Sequence, residues 1–105
     1  MDVSQRIKET VDSNRVMLFM KGNRDFPQCG FSGRAIQILQ ALGAEFETAD
    51  VLMDDEIRQG IKEFSNWPTV PQLYINGEFV GGSDIMMEMY ENGELEKALS
   101  QTPET

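Results

Sequence analysis

Apolar residues recur at helical spacing in several parts of the chain. Val3, Ile7 and Val11 lie four residues apart and predict an amphipathic helix over residues 3–12. Similar spacing predicts helices over residues 31–42 and 54–64, and a last helix that begins near Ile85. Gly93 interrupts this last pattern, and the apolar residues beyond it indicate one or two further helical turns.

Other apolar segments have the lengths and flanking residues of strands. Residues 15–20 contain a continuous apolar run, which is typical of a strand buried on both faces of a sheet. A weak alternation of apolar and polar residues predicts a second strand over residues 44–51. Residues 72–75 and 78–80 flank Asn76-Gly77, a dipeptide that supplies the positive φ angles of a type I′ turn, and they therefore predict a β-hairpin.

The order of these elements predicts a small α/β fold. A helix joins the first two strands, so these strands are expected to be parallel, whereas the hairpin adds an antiparallel pair. We therefore expect a three-layer sandwich with a four-stranded mixed sheet flanked by helices. At this length, residues 1–105 are expected to form a single domain.

The net charge of the chain restricts the classes of partner that it can bind. Eighteen acidic residues against nine basic ones give a net charge of −9, which should repel phosphate backbones, and there is no basic stripe suited to nucleic acid. No apolar run approaches the roughly 20 residues that span a bilayer. We therefore expect neither nucleic acid nor membrane as a partner. A single free cysteine favours a reducing compartment, which predicts the cytoplasm, or an organelle matrix if a targeting segment has been removed.

Cys29 is the only cysteine, and the chain has no histidine. Its chemistry must therefore involve a small thiol, a partner protein or a metal, without the Cys–His pairing that activates many thiol nucleophiles. The flanking residues are turn-like, which favours a functional thiol over a buried structural one. A free thiol is only about 3% ionised at pH 7. The N-terminus of a helix that begins at Gly30 stabilises the thiolate by about 0.3–1 kcal/mol. This is too little to make the thiolate the main form at pH 7, so we expect Lys21 to contribute an additional positive charge.

The segment Cys29-Gly30-Phe31-Ser32 resembles the active site of the monothiol glutaredoxins. The similarity extends to Met20-Lys21-Gly22 and to residues 67–74 and 81–85, in the same order and spacing. It implies a thioredoxin-like fold, glutathione binding and a [2Fe–2S] cluster held between two protomers. Ser32 then occupies the place of the resolving cysteine of dithiol enzymes.

The resemblance also assigns roles to five residues around glutathione. Lys21 and Arg58 would bind the glycine carboxylate, and the backbone of Val70 would pair with the cysteinyl unit. The backbone and hydroxyl of Ser83 would bind the γ-glutamyl carboxylate, and Asp84 would bind the ammonium group. Many members of the family carry cysteine where this chain has Ser83, so an internal disulfide to Cys29, which those relatives can form, is excluded here.

Two functions follow from the resemblance. In the first, the protein carries iron–sulfur clusters: a [2Fe–2S] centre takes four thiolates, and Cys29 from two chains with two glutathiones completes that count. The protein would then be a dimer when loaded and a monomer without cluster. In the second, it is a glutathione-dependent thiol transferase acting through Cys29. The long loop before Cys29 and Trp67-Pro68 resemble the cluster-handling branch, whose oxidoreductase activity is weak, so we favour the carrier. BolA-like proteins and iron–sulfur client apoproteins are partners that fit it.

Overall fold

A four-stranded sheet forms the centre of the computed structural model, which describes residues 2–101. Its strands are β1 (Val16–Met20), β2 (Glu47–Asp50), β3 (Gln72–Ile75) and β4 (Glu78–Gly81), in the spatial order β2-β1-β3-β4. β1 pairs in parallel with β2, and β3 is antiparallel to both β1 and β4. The predicted mixed sheet is therefore confirmed, and β1 and β3 are its two buried inner strands.

Helices cover both faces of the sheet. They are α1 (Val3–Ser13), α2 (Gly30–Ala41), α3 (Asp55–Ser65), α4 (Ser83–Asn92) and α5 (Glu94–Ser100). α1 and α3 pack against each other on one face, and α2, α4 and α5 lie on the other. This arrangement confirms the three-layer sandwich.

The alternation of side chains along β1 explains why the protein has two apolar layers. Met17 and Phe19 pack with Ile7 and Ile61 below α1 and α3, whereas Leu18 and its even-numbered neighbours pack toward α2 and α4. Because the side chains of a strand point alternately to the two faces, a fully apolar strand serves both layers.

Several boundaries differ from the predicted ones. β2 runs only from Glu47 to Asp50, and residues Val51–Met53 form a 3₁₀ turn that the apolar pattern did not predict. The Asp50 carboxylate accepts the Leu52 N–H over 2.9 Å and so favours this turn over an extended strand.

Gly93, with φ 84°, separates α4 from α5 as predicted. Asn76 and Gly77 have φ of 53° and 82°, which agrees with the predicted hairpin turn.

Candidate functional site

Cys29 lies after β1, at the end of a loop that folds back on itself. Gly22 adopts a φ of 88°, and a Cβ there would lie 2.4 Å from the Phe26 carbonyl oxygen, so only glycine fits this close approach. The Gln28 N–H then donates to the Lys21 carbonyl over 2.8 Å. These contacts return the chain to the end of β1 immediately before the cysteine.

The same loop is attached to the neighbouring strand β2. The Gly22 N–H donates to the Asp50 carboxylate over 2.9 Å. The Arg24 guanidinium lies 4.3 Å from the centre of the Phe46 ring and also donates to the Phe46 carbonyl. The position of the thiol is therefore fixed by the sheet as well as by the helix that follows it.

Cys29 is the N-cap residue of α2, and its sulfur is the capping acceptor. The Ser32 N–H donates to Cys29 Sγ over 3.4 Å, and the Ser32 hydroxyl oxygen lies 3.5 Å from the same sulfur. Ser32 itself is fully buried, and its oxygen accepts the Lys21 N–H over 3.1 Å. As a thiol, Cys29 donates to this oxygen, whereas as a thiolate its sulfur can accept the hydroxyl hydrogen of Ser32.

These contacts explain the acidity of the thiol. Partial burial raises the pKa of Cys29, but hydrogen bonds from the Ser32 side chain and from the Ser32 and Phe31 backbone outweigh it, with a further contribution from the Lys21 charge. The resulting pKa lies below its usual 9.0. Lys21 acts in the predicted direction, although its charge contributes less than Ser32. The motif predicted Ser32 only as a replacement for a resolving cysteine, and this role of Ser32 was not predicted.

The thiol opens into a cleft of about 710 Å³ between the loop after β1, helix α3, the segment before β3 and the start of α4. That volume lies within the range of small-molecule sites. The cleft is lined by Lys21, Cys29, Gly30, Phe31, Arg58, Lys62, Trp67, Pro68, Thr69, Val70, Pro71, Gly82, Ser83, Asp84 and Ile85. All the residues singled out from the sequence therefore border one space: Cys29, Lys21, Arg58, Val70, Ser83 and Asp84.

Three cations stand on the side of the cleft formed by β1 and α3. Lys21, Arg58 and Lys62 line it, and within residues 2–101 none of them has a carboxylate partner within 4.0 Å. Lys62 is absent from the sequence-based site, although its spacing of four from Arg58 puts both side chains on one face of α3. In a chain with a net charge of −9, this local concentration of positive charge favours an anionic ligand.

The opposite side of the cleft is the N-terminus of α4. Gly82 is the N-cap residue, and no side chain caps this helix end within the described part of the chain. The first N–H groups of the helix can therefore bind an anionic group, as helix N-termini commonly do. Ser83 is buried at this end, and the Asp84 side chain is exposed beside it.

The segment between α3 and β3 forms the remaining wall. The peptide bond between Val70 and Pro71 is cis, and Val70 lies just before β3 begins at Gln72. The Val70 N–H and C=O have no hydrogen-bond partner among residues 2–101. Backbone with free donors and acceptors can pair with a peptide-like ligand.

The donors of one chain do not complete a metal site. Within residues 2–101, no three Cys, His, Asp or Glu side chains are grouped so as to hold a metal ion. Cys29 can therefore supply only a single thiolate ligand, and any metal centre here needs ligands from outside the chain. No helix in the same range is both long and apolar enough to cross a membrane.

Comparisons with known proteins agree with this geometry. The family model for Glutaredoxin matches residues 16–80. A ycf64-like monothiol glutaredoxin of Synechocystis sp. is 63% identical over 98 residues, which cover 93% of this chain and 92% of the relative. The solution structure of reduced poplar apo GrxS14 has a TM-score of 0.81 at 50% identity and covers 94% of each chain. The crystal structure of a buckwheat glutaredoxin–glutathione complex has a TM-score of 0.84 at 28% identity, over 93% of this chain and 87% of that one.

The similarity covers sequence and fold together and extends over nearly the whole chain. The predicted thioredoxin-like fold is thereby confirmed. The motif residues from Cys29 to Ser32 lie at the start of α2, where the thiol is acidic and opens into the cleft. The chain belongs to the glutaredoxin family and is one of its monothiol members.

Proposed function

We propose that this protein binds glutathione in the cleft, shares a [2Fe–2S] cluster between two protomers, and delivers that cluster to client apoproteins. The observation that carries the proposal is the position of Cys29: the only thiol of the chain has a lowered pKa and opens into a cleft with anion-binding groups at both ends. Such a cleft suits a small ligand that brings a second thiol and carries carboxylates.

Glutathione matches the chemistry of the cleft from end to end. Its glycine carboxylate pairs with Lys21 and Arg58, and Lys62 adds a third cation on the same side. Its γ-glutamyl carboxylate binds at the start of α4, at the backbone and hydroxyl of Ser83. The ammonium group of the same unit then lies near the exposed carboxylate of Asp84.

The cysteinyl unit lies between these two ends. The free N–H and C=O of Val70 hydrogen-bond to its backbone and hold its thiol beside Cys29. The buckwheat structure named above is a glutaredoxin in complex with glutathione, which supports this class of ligand for the present chain.

The donor set fits a shared cluster and does not fit one carried by a single chain. A [2Fe–2S] centre takes four thiolates, and Cys29 is the only thiol that each chain provides. Two copies of Cys29 and two glutathiones make up the required number. When bound, the cluster supplies the iron and sulfide that a client apoprotein needs.

Residues of the chain stabilise the Cys29 thiolate and hold glutathione beside it. Hydrogen bonds from Ser32 lower the pKa of Cys29 and so favour its thiolate form, which is the form that binds iron. Lys21 and Arg58 fix one end of glutathione while the start of α4 fixes the other. Half the ligands are exchangeable small molecules, which suits transfer better than permanent storage.

A thiol transferase is the second candidate, and the acidic, partly exposed thiol favours it. In that reaction the Cys29 thiolate attacks the glutathionyl sulfur of a protein mixed disulfide and releases the protein thiolate. A second glutathione thiolate then attacks the glutathionyl sulfur bound to Cys29, which forms oxidised glutathione and restores the Cys29 thiolate. Both candidates use one thiol and the same cleft.

The proposed carrier is a monomer without cluster and a homodimer with it. BolA-like proteins and iron–sulfur apoproteins are its proposed protein partners. Because Cys29 must stay reduced to bind, we place the protein in a reducing compartment such as the cytoplasm or an organelle matrix.

Anaerobic reconstitution tests the carrier directly. The protein is incubated with iron, sulfide and glutathione, and then analysed by visible absorption, iron and glutathione content, and size-exclusion chromatography. We expect equal amounts of iron, glutathione and protein chain in a dimer, and no cluster in Cys29→Ser. A cluster that forms without glutathione, or on a monomer, would contradict the proposal and leave the transferase as the better explanation.

A further inference from the structure

Gln72 places a polar amide in the interior of the protein. It is the first residue of β3 and is fully buried, on the face of the sheet that also carries Tyr74. A buried amide is costly unless its groups are hydrogen-bonded. Gln72 Nε2 donates to the carbonyls of Trp67 and Thr69, over 3.2 and 3.0 Å, and the Tyr74 hydroxyl donates to Gln72 Oε1 over 3.2 Å.

The two carbonyls belong to the segment that forms one wall of the cleft. Residues 67–71 contain no helix or strand, and they line the cleft without interruption. The start of this segment is held by the Trp67 N–H, which donates to the Lys62 carbonyl and to Ser65 Oγ, each over 3.1 Å. From residue 68 to residue 70, the Gln72 amide provides the only hydrogen bond found within residues 2–101.

Tyr74 fixes the orientation of that amide. Its ring is buried and packs against the rings of Phe19, Phe64 and Phe79, with centroids 5.7, 6.1 and 5.4 Å away. Burial raises the pKa of Tyr74 to about 12, against a smaller lowering by a hydrogen bond with Ser65. The hydroxyl therefore stays protonated at neutral pH and donates to Oε1, which turns the Nε2 end of Gln72 toward the two carbonyls.

We propose that Gln72, oriented by Tyr74, is a positioning residue for glutathione: it holds the carbonyls of Trp67 and Thr69 so that the Val70 backbone keeps the geometry that the cysteinyl unit requires. This inference rests on the proposed function of the cleft. Gln72 does not line the cleft and acts only through the segment before it.

The test removes the amide while keeping the volume of the side chain. In Gln72→Met, the two carbonyls lose their donor, and we expect the Kd for reduced glutathione to rise about tenfold, which corresponds to about 1.4 kcal/mol of hydrogen bonding. In Tyr74→Phe, the ring packing stays and only the orienting hydroxyl is lost, so we expect a smaller rise of about threefold. Calorimetric titration with reduced glutathione measures both values.

Two further measurements separate positioning from general destabilisation. Leu39→Ala removes a fully buried side chain on the other face of the sheet, so it lowers stability without touching the segment. We expect the Kd of this variant for reduced glutathione to remain near that of the parent. The pH profile of Cys29 alkylation should be the same in Gln72→Met and the parent, because Ser32 sets the thiol pKa.

Amide spectra complete the test without depending on glutathione. In ligand-free Tyr74→Phe and Gln72→Met, the NMR resonances of Thr69 and Val70 should shift or broaden, while those of Phe31 and Ser32 stay in place.

If the parent binds glutathione and both variants bind it equally well, the positioning role is wrong and the proposed function stands. If the parent itself does not bind glutathione, the proposed function is wrong, and this inference falls with it. Tyr74→Phe keeps the test valid even if Gln72→Met fails to fold.

Discussion

The backbone N–H of Lys21 donates to the hydroxyl oxygen of Ser32 over 3.1 Å, across the base of the loop that carries Cys29. Lys21 thus acts on the thiol in two ways. Its main-chain N–H holds the Ser32 oxygen beside Cys29 Sγ, where the hydroxyl can donate to the thiolate, and its positive charge lowers the pKa of the same sulfur. Only the second effect depends on the lysine side chain.

Ser32→Ala should make Cys29 less reactive. The variant keeps the backbone N–H that caps the sulfur but loses the hydroxyl, so the thiol pKa should rise toward its usual 9.0. A hydrogen bond to a charged group contributes about 1.5 kcal/mol, so alkylation by iodoacetamide near neutral pH should slow by up to about tenfold. Ser4→Ala, an exposed change in α1, is the control. An unchanged pH profile in Ser32→Ala would show that the hydroxyl does not stabilise the thiolate.

Ser32→Cys should convert the site into a dithiol. The Ser32 oxygen lies 3.5 Å from Cys29 Sγ, so a sulfur in its place needs only a small rotation to reach bonding distance. We expect oxidation to join the two sulfurs with loss of two hydrogen atoms, and disulfide reductase activity to increase relative to the parent. Mass spectrometry of the oxidised variant checks the bond. Recovery of two free thiols after oxidation would contradict the geometry described for this turn.

Lys21→Ala and Arg58→Ala should each weaken glutathione binding. Charged hydrogen bonds to a carboxylate contribute about 1–3 kcal/mol, and neither cation has a competing carboxylate partner within residues 2–101. Lys97→Ala removes an exposed charge in α5, outside the cleft, and is the matched control for net charge. Calorimetric titration compares the three variants. Equal affinities in all of them would exclude the proposed carboxylate site.

Asp54→Asn should reduce the sensitivity of the fold to acid. Arg6 hydrogen-bonds to Asp54 over 2.6 Å, and this contact, followed by the Ile57 N–H, holds the pKa of Asp54 below its usual 3.8. A lowered carboxyl pKa adds stability that is present above pH 3.8 and is lost as the pH falls through the lowered value. Thermal unfolding at neutral pH and at about pH 3 should therefore differ less in the variant than in the parent.

Arg6→Gln provides the matched test of that pair. It removes the partner of Asp54 and leaves the carboxylate that caps α3 in place. We expect it to narrow the same pH difference less than Asp54→Asn does, because the Ile57 and Glu56 N–H groups still lower the Asp54 pKa. The double variant should behave like Asp54→Asn, because Arg6 acts through the carboxylate that Asn lacks. Independent, additive effects would show that the pair does not account for the acid sensitivity.

The sequence predicted the layers and topology well because its apolar periods are clear. The short continuous run in β1 favours a buried strand and Asn76-Gly77 favours a tight hairpin turn, and both were found. The end of β2 was predicted less well, because the Asp50 side chain bonds to backbone beyond the strand and begins a 3₁₀ turn. Such a side-chain contact competes with the strand and has no apolar period to reveal it.

The functional site, like the fold, was predicted from the sequence only in part. Motif resemblance placed Cys29, Lys21 and Arg58 around one space, and the structure puts them there. Lys62 could have been found from its helical spacing to Arg58. The hydrogen bond between Ser32 and Lys21 could not be predicted, since it joins residues 11 apart in sequence through a loop whose path the composition does not determine.

The sulfur of Cys29 is also the cap of α2, so each covalent change at this atom alters the beginning of that helix. As a thiolate it accepts the Ser32 N–H at the positive end of the helix dipole. As a disulfide sulfur it is neutral and loses most of this stabilisation. Loss of this cap should lower the thermal stability of a mixed disulfide of Cys29 whose attached group makes no contact in the cleft, and the same difference in free energy favours release of Cys29 from it.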